Sequence, residues 1–351
     1  MTRTLDILRA GIPSVPADVA WQLAEIGQCI GRQELYSAQA PQVLKSLRDH
    51  AMVESAISSN RIEGIEVEQR RIGTLIWGNA SVTNRDEEEV RGYRRALEWI
   101  HRDAASIDCG EETIRKLHAL ARGNIWDAGQ YKERDGDIIE RYPDGETRVR
   151  FRTVGAAETP RCMAAMSALW TQFNEERWAH PLVGIAAFNL DFLCIHPFRD
   201  GNGRVSRLLL LLQAYQAQME VGRYISLERI IEAEKQRYYD TLAASSKRWH
   251  EGKHDFWPWV RFLLFILKDA YREFELRLSL TGPRRGEKTT SLMRFIAQQP
   301  GTFSVSDIRR GCPAVSVDLI RRVLKNLQAQ GAVECLGRGP AAVWKNRRKS
   351  L

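Results

Sequence analysis

The chain has 351 residues, 44% of them hydrophobic and 27% charged, the balance of a globular protein with room for two or three domains. Its formal net charge of +8 admits an acidic or nucleic-acid partner but is spread too evenly to name one. No apolar run reaches the length of a membrane span, the N-terminus has no signal-type apolar stretch, and the six cysteines form no CxxC pair. These features argue against membrane insertion, export and a cysteine metal site, and a cytoplasmic location is expected.

After the breakers Gly11, Pro13 and Pro16, a first helix is expected over Ala17 to Ile30. Pro41 opens a second, from Gln42 to Ser59, with Leu44, Leu47, Ala51 and Met52 on its apolar face. It ends in Ser59-Asn-Arg-Ile-Glu63-Gly64, where Gly64 suits a C-cap. Residues 66 to 110 read as helical, and the acidic run Asp86 to Glu89 reads as a solvated helix start. A further helix, Glu111 to Arg122, sets Ile114, Leu117, Leu120 and Ala121 on one side. From Asn124 to Thr153 the chain turns polar, and Pro143-Asp-Gly145 beside the alternating Val149 and Phe151 predicts a β-hairpin. Thr159-Pro160 opens a helix whose Met163, Met166, Leu169 and Phe173 belong to the core, and His180-Pro181 starts an apolar helix running to Ile195.

That helix delivers His196-Pro-Phe-Arg-Asp200-Gly201-Asn202-Gly203-Arg204-Val205-Ser206-Arg207. Pro197 disfavours helical geometry at His196, and Gly-Asn-Gly permits a tight turn with positive φ. A helix beginning near Gly203 aims free N–H groups and its positive dipole end into that turn, which makes an anion site. Arg204 and Arg207 at such an end call for an anion between them, and a polyphosphate fits. Asp200 offers the hard oxygen that Mg²⁺ accepts beside phosphates, and His196 exchanges protons near neutral pH. The helix is expected to continue to about Glu220. Next come Arg229 to Arg248 with Tyr238-Tyr239, then an aromatic helix from Phe256 through Leu267 that suits burial or self-association. The polar, glycine-bearing 281–286 reads as a linker. Beyond it, helices over Lys288–Gln298, Ser304–Arg310 and Ser316–Gln330 precede a strand–turn–strand, Ala332–Leu336 and Ala341–Trp344.

The stretch from His196 to Arg207 resembles, at every defined position, the HPFx(D/E)GNGRxxR motif of Fic-domain proteins, enzymes that mostly transfer AMP from ATP to a hydroxyl of a target protein. Ser59…Glu63-Gly64 resembles a second Fic signature, (S/T)xxxE(G/N), carried by an inhibitory helix. The last module resembles a winged helix. The fold class implied is mainly α: a Fic helical bundle with a small β-hairpin flap, plus a C-terminal winged-helix α/β module. The domains would be 1–110 with the inhibitory helix at about 42–64, the catalytic core 111–280, and the winged helix 287–351. The resemblance implies that ATP lies over Gly201, Asn202 and Gly203, against the first helical turn of Arg204, Val205, Ser206 and Arg207. Arg204 would take the β-phosphate, Arg207 the γ-phosphate, Asp200 the Mg²⁺, and His196 the proton of a Ser, Thr or Tyr hydroxyl. Glu63 would pair with Arg207 and block productive ATP binding, since a carboxylate and a phosphate compete for one guanidinium fork.

The hairpin would be the flap that aligns the target by strand pairing, at Gly136, Asp137 and Ile138. Gly129-Gln-Tyr-Lys132 departs from the family's Gly-x-x-Arg, and a purely decorative hairpin is the alternative. Tyr238 and Tyr239 match the helix bordering the adenine pocket; plain packing is the alternative. The partners implied are ATP and a hydroxyl-bearing protein, with a homodimer and DNA contact through Arg321, Arg322 and Lys325 as further possibilities. Removal of AMP at the same site, another nucleotide donor, and a DNA-binding regulator that senses nucleotide remain open.

Overall fold

A computed structural model describes the chain apart from residues 1–2, 13, 38–40, 79–80, 124, 142–145, 280–286, 314, 338, 340–341 and 348–351. The predicted hairpin turn at 143–145 and the 281–286 linker therefore lie outside the described residues. In chain order come α1 (Thr4–Ala10), α2 (Ala17–Ser37), α3 (Pro41–Ile62), α4 (Gln69–Trp77), α5 (Arg85–Asp103) and α6 (Glu111–Arg122). The antiparallel hairpin β1 (Asp137–Arg141) and β2 (Thr147–Arg152) follows, then α7 (Thr159–Glu176), α8 (Pro181–Ile195) and α9 (Asn202–Gln216). Next are α10 (Leu227–Ala233), α11 (Lys235–Ser246) and α12 (Trp257–Ser279). The last segment holds α13 (Glu287–Ala297), β3 (Thr302–Ser304), α14 (Val305–Gly311), α15 (Val317–Ala329), β4 (Val333–Cys335) and β5 (Val343–Asn346). The described residues are mainly helical, with two small antiparallel sheets.

The bundle is organised around α8 and α9. Every residue of α8 from Leu182 to Ile195 is buried, as are Arg204 to Tyr215 of α9. A helix apolar on all sides belongs in a core, and α1, α7 and α12 pack on α8 while α5 and α6 pack on α9. One continuous core runs from Leu5 to Leu278, so the N-terminal helices and the segment after residue 110 share a single interior.

Several expected boundaries shift. The stretch 66–110 is broken between α4 and α5 because the Asn84 side chain caps α5, accepting from the Glu87 amide at 2.9 Å. The Arg229–Arg248 helix is two helices divided at Glu234, and the motif helix stops at Gln216, where Gln218 takes a positive φ of 63°. Helix α1, ahead of the first helix expected from the sequence, exists because the chain elsewhere supplies its cap. Asp191 of α8 accepts from the amides of Thr4 and Leu5, each at 2.9 Å, from Thr4 Oγ1 at 2.6 Å and from Trp249 Nε1 at 2.6 Å. Asp191→Ala leaves these buried donors unpaired and is expected to cost about 3 kcal/mol. A lowered urea midpoint with unchanged slope is the measurement that checks it.

The C-terminal segment has its own core, including Leu292, Phe295, Phe303, Ile308, Ile320, Leu324 and Trp344. Its sheet has the order β3-β5-β4, with Phe303, Trp344 and Cys335 in register. Strand β3 is too short to leave a periodic trace in the sequence. Helix α14 docks on α3: Ser46 Oγ donates to the Arg310 carbonyl at 3.1 Å, and Gly311 leaves room for the His50 ring.

Candidate active site

Helix α8 ends at His196, which takes the left-handed conformation (φ 53°, ψ 60°) while its amide still bonds to the Phe192 carbonyl at 2.9 Å. That conformation is costly for a residue with a Cβ, so the surroundings must impose it. Asn202, the first residue of α9, turns its amide back on the loop. Its Oδ1 accepts from the Phe198 amide at 2.9 Å and its Nδ2 donates to the Phe198 carbonyl at 2.8 Å. Gly201 supplies the positive φ of 80° that closes the turn. The Phe198 ring lies flat on His118 at 3.8 Å, and His118 joins Asp200 O (3.0 Å) to the Gly129 amide (2.9 Å).

His196 Nδ1 lies 3.3 Å from the Leu193 carbonyl. A carbonyl only accepts, so Nδ1 carries the proton and Nε2 is left with its lone pair. Burial, followed by the charge of Lys132, pushes His196 down to about 4, against the opposing pull of the Leu193 carbonyl, Glu63 and Asp200. The ring is neutral at pH 7 and competent as a base. It lines two cavities at once. One, of about 470 Å³, includes Glu63, Gly203, Tyr238, Tyr239 and Leu242; the other, of about 650 Å³, includes Lys132, Gly136, Phe198 and Arg199. Asp137 of the hairpin borders both.

Arg207 is almost wholly buried. Its Nε donates to Ser59 Oγ, and its Nη2 to the Ser59 carbonyl and to Glu63 Oε1, each at 2.8 Å. Its Nη1 is buried with no hydrogen-bond partner among the described residues. Gly64 ends α3 with a φ of 83°, which brings Glu63 across the first turn of α9. A Cβ on Gly203 would stand 2.3 Å from Glu63 Oε1, so glycine is required there for the carboxylate to lie where it does. Glu63 and Arg207 are 144 residues apart in sequence.

Arg204 is placed differently. Like Arg207 it lines neither cavity, but its Nη1 donates away from the Glu63 side, to Glu89 Oε2 at 2.7 Å and to Asn60 Oδ1 at 3.3 Å. Glu89 also accepts from Arg122 at 2.6 Å and from Arg85 at 3.0 Å, and it is fully buried. The acidic run at the start of α5 is therefore not a solvated helix end: Glu87, paired with Arg71, and Glu89 face inward. Glu89 stands four residues before Tyr93 on the row that continues through Leu97 and Ile100, and a carboxylate in an apolar row was the trace available in the sequence. Val205 and Ser206 lie in the core, with Ser206 Oγ donating to the Gly203 carbonyl at 2.8 Å.

Asp200 is half exposed and accepts from Arg122 Nη1 at 2.7 Å and Arg85 Nη2 at 3.0 Å. No cluster of three metal-ligating side chains occurs among the described residues. One exposed carboxylate fits the way Mg²⁺ is held beside phosphates, with most ligands coming from substrate and water. Tyr238 is buried edge-on against Trp259 at 5.3 Å, and Arg150 lies over the Tyr239 ring at 5.4 Å; both tyrosines border the smaller cavity. In the hairpin, Asp137 and Ile138 border that cavity while Gly136 accepts from Thr153 Oγ1 at 2.6 Å. Ile139 and Val149 leave an exposed apolar edge on the hairpin.

Residues 106–214 match the Fic/DOC family. A Fic family protein from Desulfovibrio desulfuricans shares the fold, with a TM-score of 0.61 and 24% identity over 97% of this chain and 99% of that one. A Fic domain containing signaling protein from Bacteroides thetaiotaomicron gives 0.58 at 22%, over 71% and 94% of the two chains. Fic-1 from C. elegans gives 0.60 at 17%, over 76% of each. The family match over the motif and the shared fold support a Fic-domain protein, and Fic proteins are typically transferases of nucleotide-derived groups.

Proposed function

We propose that this protein transfers AMP from ATP to a Ser, Thr or Tyr hydroxyl of a target protein, and that Glu63 holds the site inactive at rest. The observation that carries this reading is His196, whose Nε2 keeps its lone pair, lining two cavities at once: one bordered by Gly203 of α9 and by both hairpin strands, the other by the loop that leads into the hairpin. The nucleotide would occupy the smaller cavity, its phosphates on the Gly201–Gly203 turn and on Arg207 once Glu63 has left. Tyr239, under Arg150, offers a face for the base. The target hydroxyl would enter along the hairpin from the larger cavity. Its oxygen bonds to the α-phosphorus as the bond to pyrophosphate breaks, and the proton passes to His196 Nε2. Asp200 would hold Mg²⁺ after releasing at least one of its guanidinium partners; when bound, the ion neutralises phosphate charge. Arg204, tied to Glu89, would support the α9 start from beneath rather than reach the phosphates.

The test is transfer from ATP labelled at the α- or γ-phosphate, with the other nucleoside triphosphates labelled at α as competitors. Label moving from the α position to protein, but not from the γ position, supports the reading. Transfer of γ label, or preference for another base, overturns the assignment of the donor. A second reading, removal of AMP from a modified protein, is favoured by the place of Glu63 in the same cavity as His196, where it can orient a water. Loss of that activity on removing Glu63 would distinguish the two.

The helix–strand–helix–helix–strand–strand order of residues 287–346 is compatible with a winged helix, and Arg321, Arg322 and Lys325 lie exposed on α15. We read this module as one for docking, with DNA as one candidate partner.

A further inference from the structure

Lys132, the residue at which the sequence departs from Gly-x-x-Arg, brackets His196. Its amide donates to the Pro197 carbonyl at 2.9 Å and its Nζ to the Ile195 carbonyl at 3.2 Å, so one residue holds the carbonyls on either side of the histidine. Nζ also donates to Thr153 Oγ1 at 2.8 Å, and that hydroxyl donates to Gly136 O, which ties the brace to the foot of the hairpin. The side chain is buried. Among the described residues the His196 ring has only the long 3.3 Å hydrogen bond to Leu193 O, so its aim depends on where the left-handed backbone is held.

We propose that Lys132 is the positioning residue of this site, locking the strained His196 backbone and coupling it to the hairpin that admits the target. The inference rests on the transfer reading for its kinetic consequence but not for its structural one. The charged groups that share the ring's two cavities are Glu63, Asp137 and Arg150 in one and Asp127, Lys132, Glu133, Arg134, Asp135 and Arg199 in the other, with Asp200 acting from the loop. Lys132 is the cation among them that favours the neutral imidazole most. Burial brings Lys132 itself down to about 8, against the pull of Asp135 and Asp137. An arginine in its place keeps hydrogen-bond donors and remains charged at alkaline pH.

The experiment places Lys132→Met and Lys132→Arg in a Glu63→Gly chain. Lys132→Met should lower kcat by about tenfold or more with the KM for ATP within about twofold, since misplacing a reacting group costs rate rather than binding. The His196 C2–H proton resonance should titrate at a higher pH than in the parent. Lys132→Arg, which keeps a donor and the positive charge, should restore kcat at pH 7 and the low His196 midpoint. Unchanged kcat together with an unchanged His196 midpoint overturns the proposal. If the Glu63→Gly parent transfers no nucleotide, the transfer reading fails while the resonance still decides the brace. If Lys132→Met does not fold, Lys132→Gln, which keeps a shorter donor and loses the charge, decides: unchanged kcat with an unchanged His196 midpoint overturns the proposal.

Discussion

Glu63→Gly is expected to raise transfer to the protein itself and to added target by roughly 10- to 100-fold. The size follows from what the carboxylate does. Its charge-assisted bond to Arg207 Nη2 at 2.8 Å lies in a site where the guanidinium is 2% exposed. Such a bond contributes about 1.5–3 kcal/mol, and each 1.36 kcal/mol is a factor of ten in a population or a rate. The carboxylate also fills space against Gly203, where phosphate oxygens would sit. Removing it therefore frees a donor and opens volume together. Arg207 keeps its two bonds to Ser59 in the variant, so the guanidinium stays aimed. Glu63→Gln, which keeps the volume and loses the charge, should fall between the two. The assay is incorporation of α-labelled ATP, with ATP binding measured separately by calorimetry. Tighter ATP binding without faster transfer would sink the inhibitory role.

His196→Ala in the Glu63→Gly chain should lower transfer by about 10²- to 10⁴-fold, the usual contribution of a positioned general base. ATP binding should be nearly unchanged, because the phosphates rest on the α9 turn and Arg207. The pH dependence carries a sign. The shift is downward, so the base form of His196 is present throughout the neutral range and is lost as the pH falls through about 4. The acidic limb of kcat/KM should therefore lie near that value and well below the 6.5 of an ordinary histidine. Retained transfer in His196→Ala, or a limb at the ordinary value, would remove the histidine from the proton-transfer step.

Much of this was legible in the sequence because it is local. Pro197 and the Gly-Asn-Gly turn set the loop by backbone restriction alone, Gly64 marked the end of α3, and apolar spacing gave most of the helices. Glu63 and Arg207 were legible as partners only through their two motifs, since nothing in a linear chain brings residues so far apart together. Other features were not legible. The inward turn of Glu89, its capture of Arg204 and Arg122, and the guanidinium pair on Asp200 each depend on which helix face meets which. Periodicity defines a face but not its neighbour. The same holds for Asp191, whose role as the cap of α1 exists only because two distant segments are packed against α8.

By itself the sequence marks the loop from His196 to Arg207 as a candidate place for phosphate, metal and a proton acceptor, because short-range steric rules and the helix end suffice to suggest it. Only the tertiary structure shows that burial pushes the His196 imidazole below its ordinary range, that the residue lines two cavities, and that Lys132 bonds the carbonyls on either side of it. Charge state and aim are set by burial and by long-range contacts, which the order of residues alone does not contain.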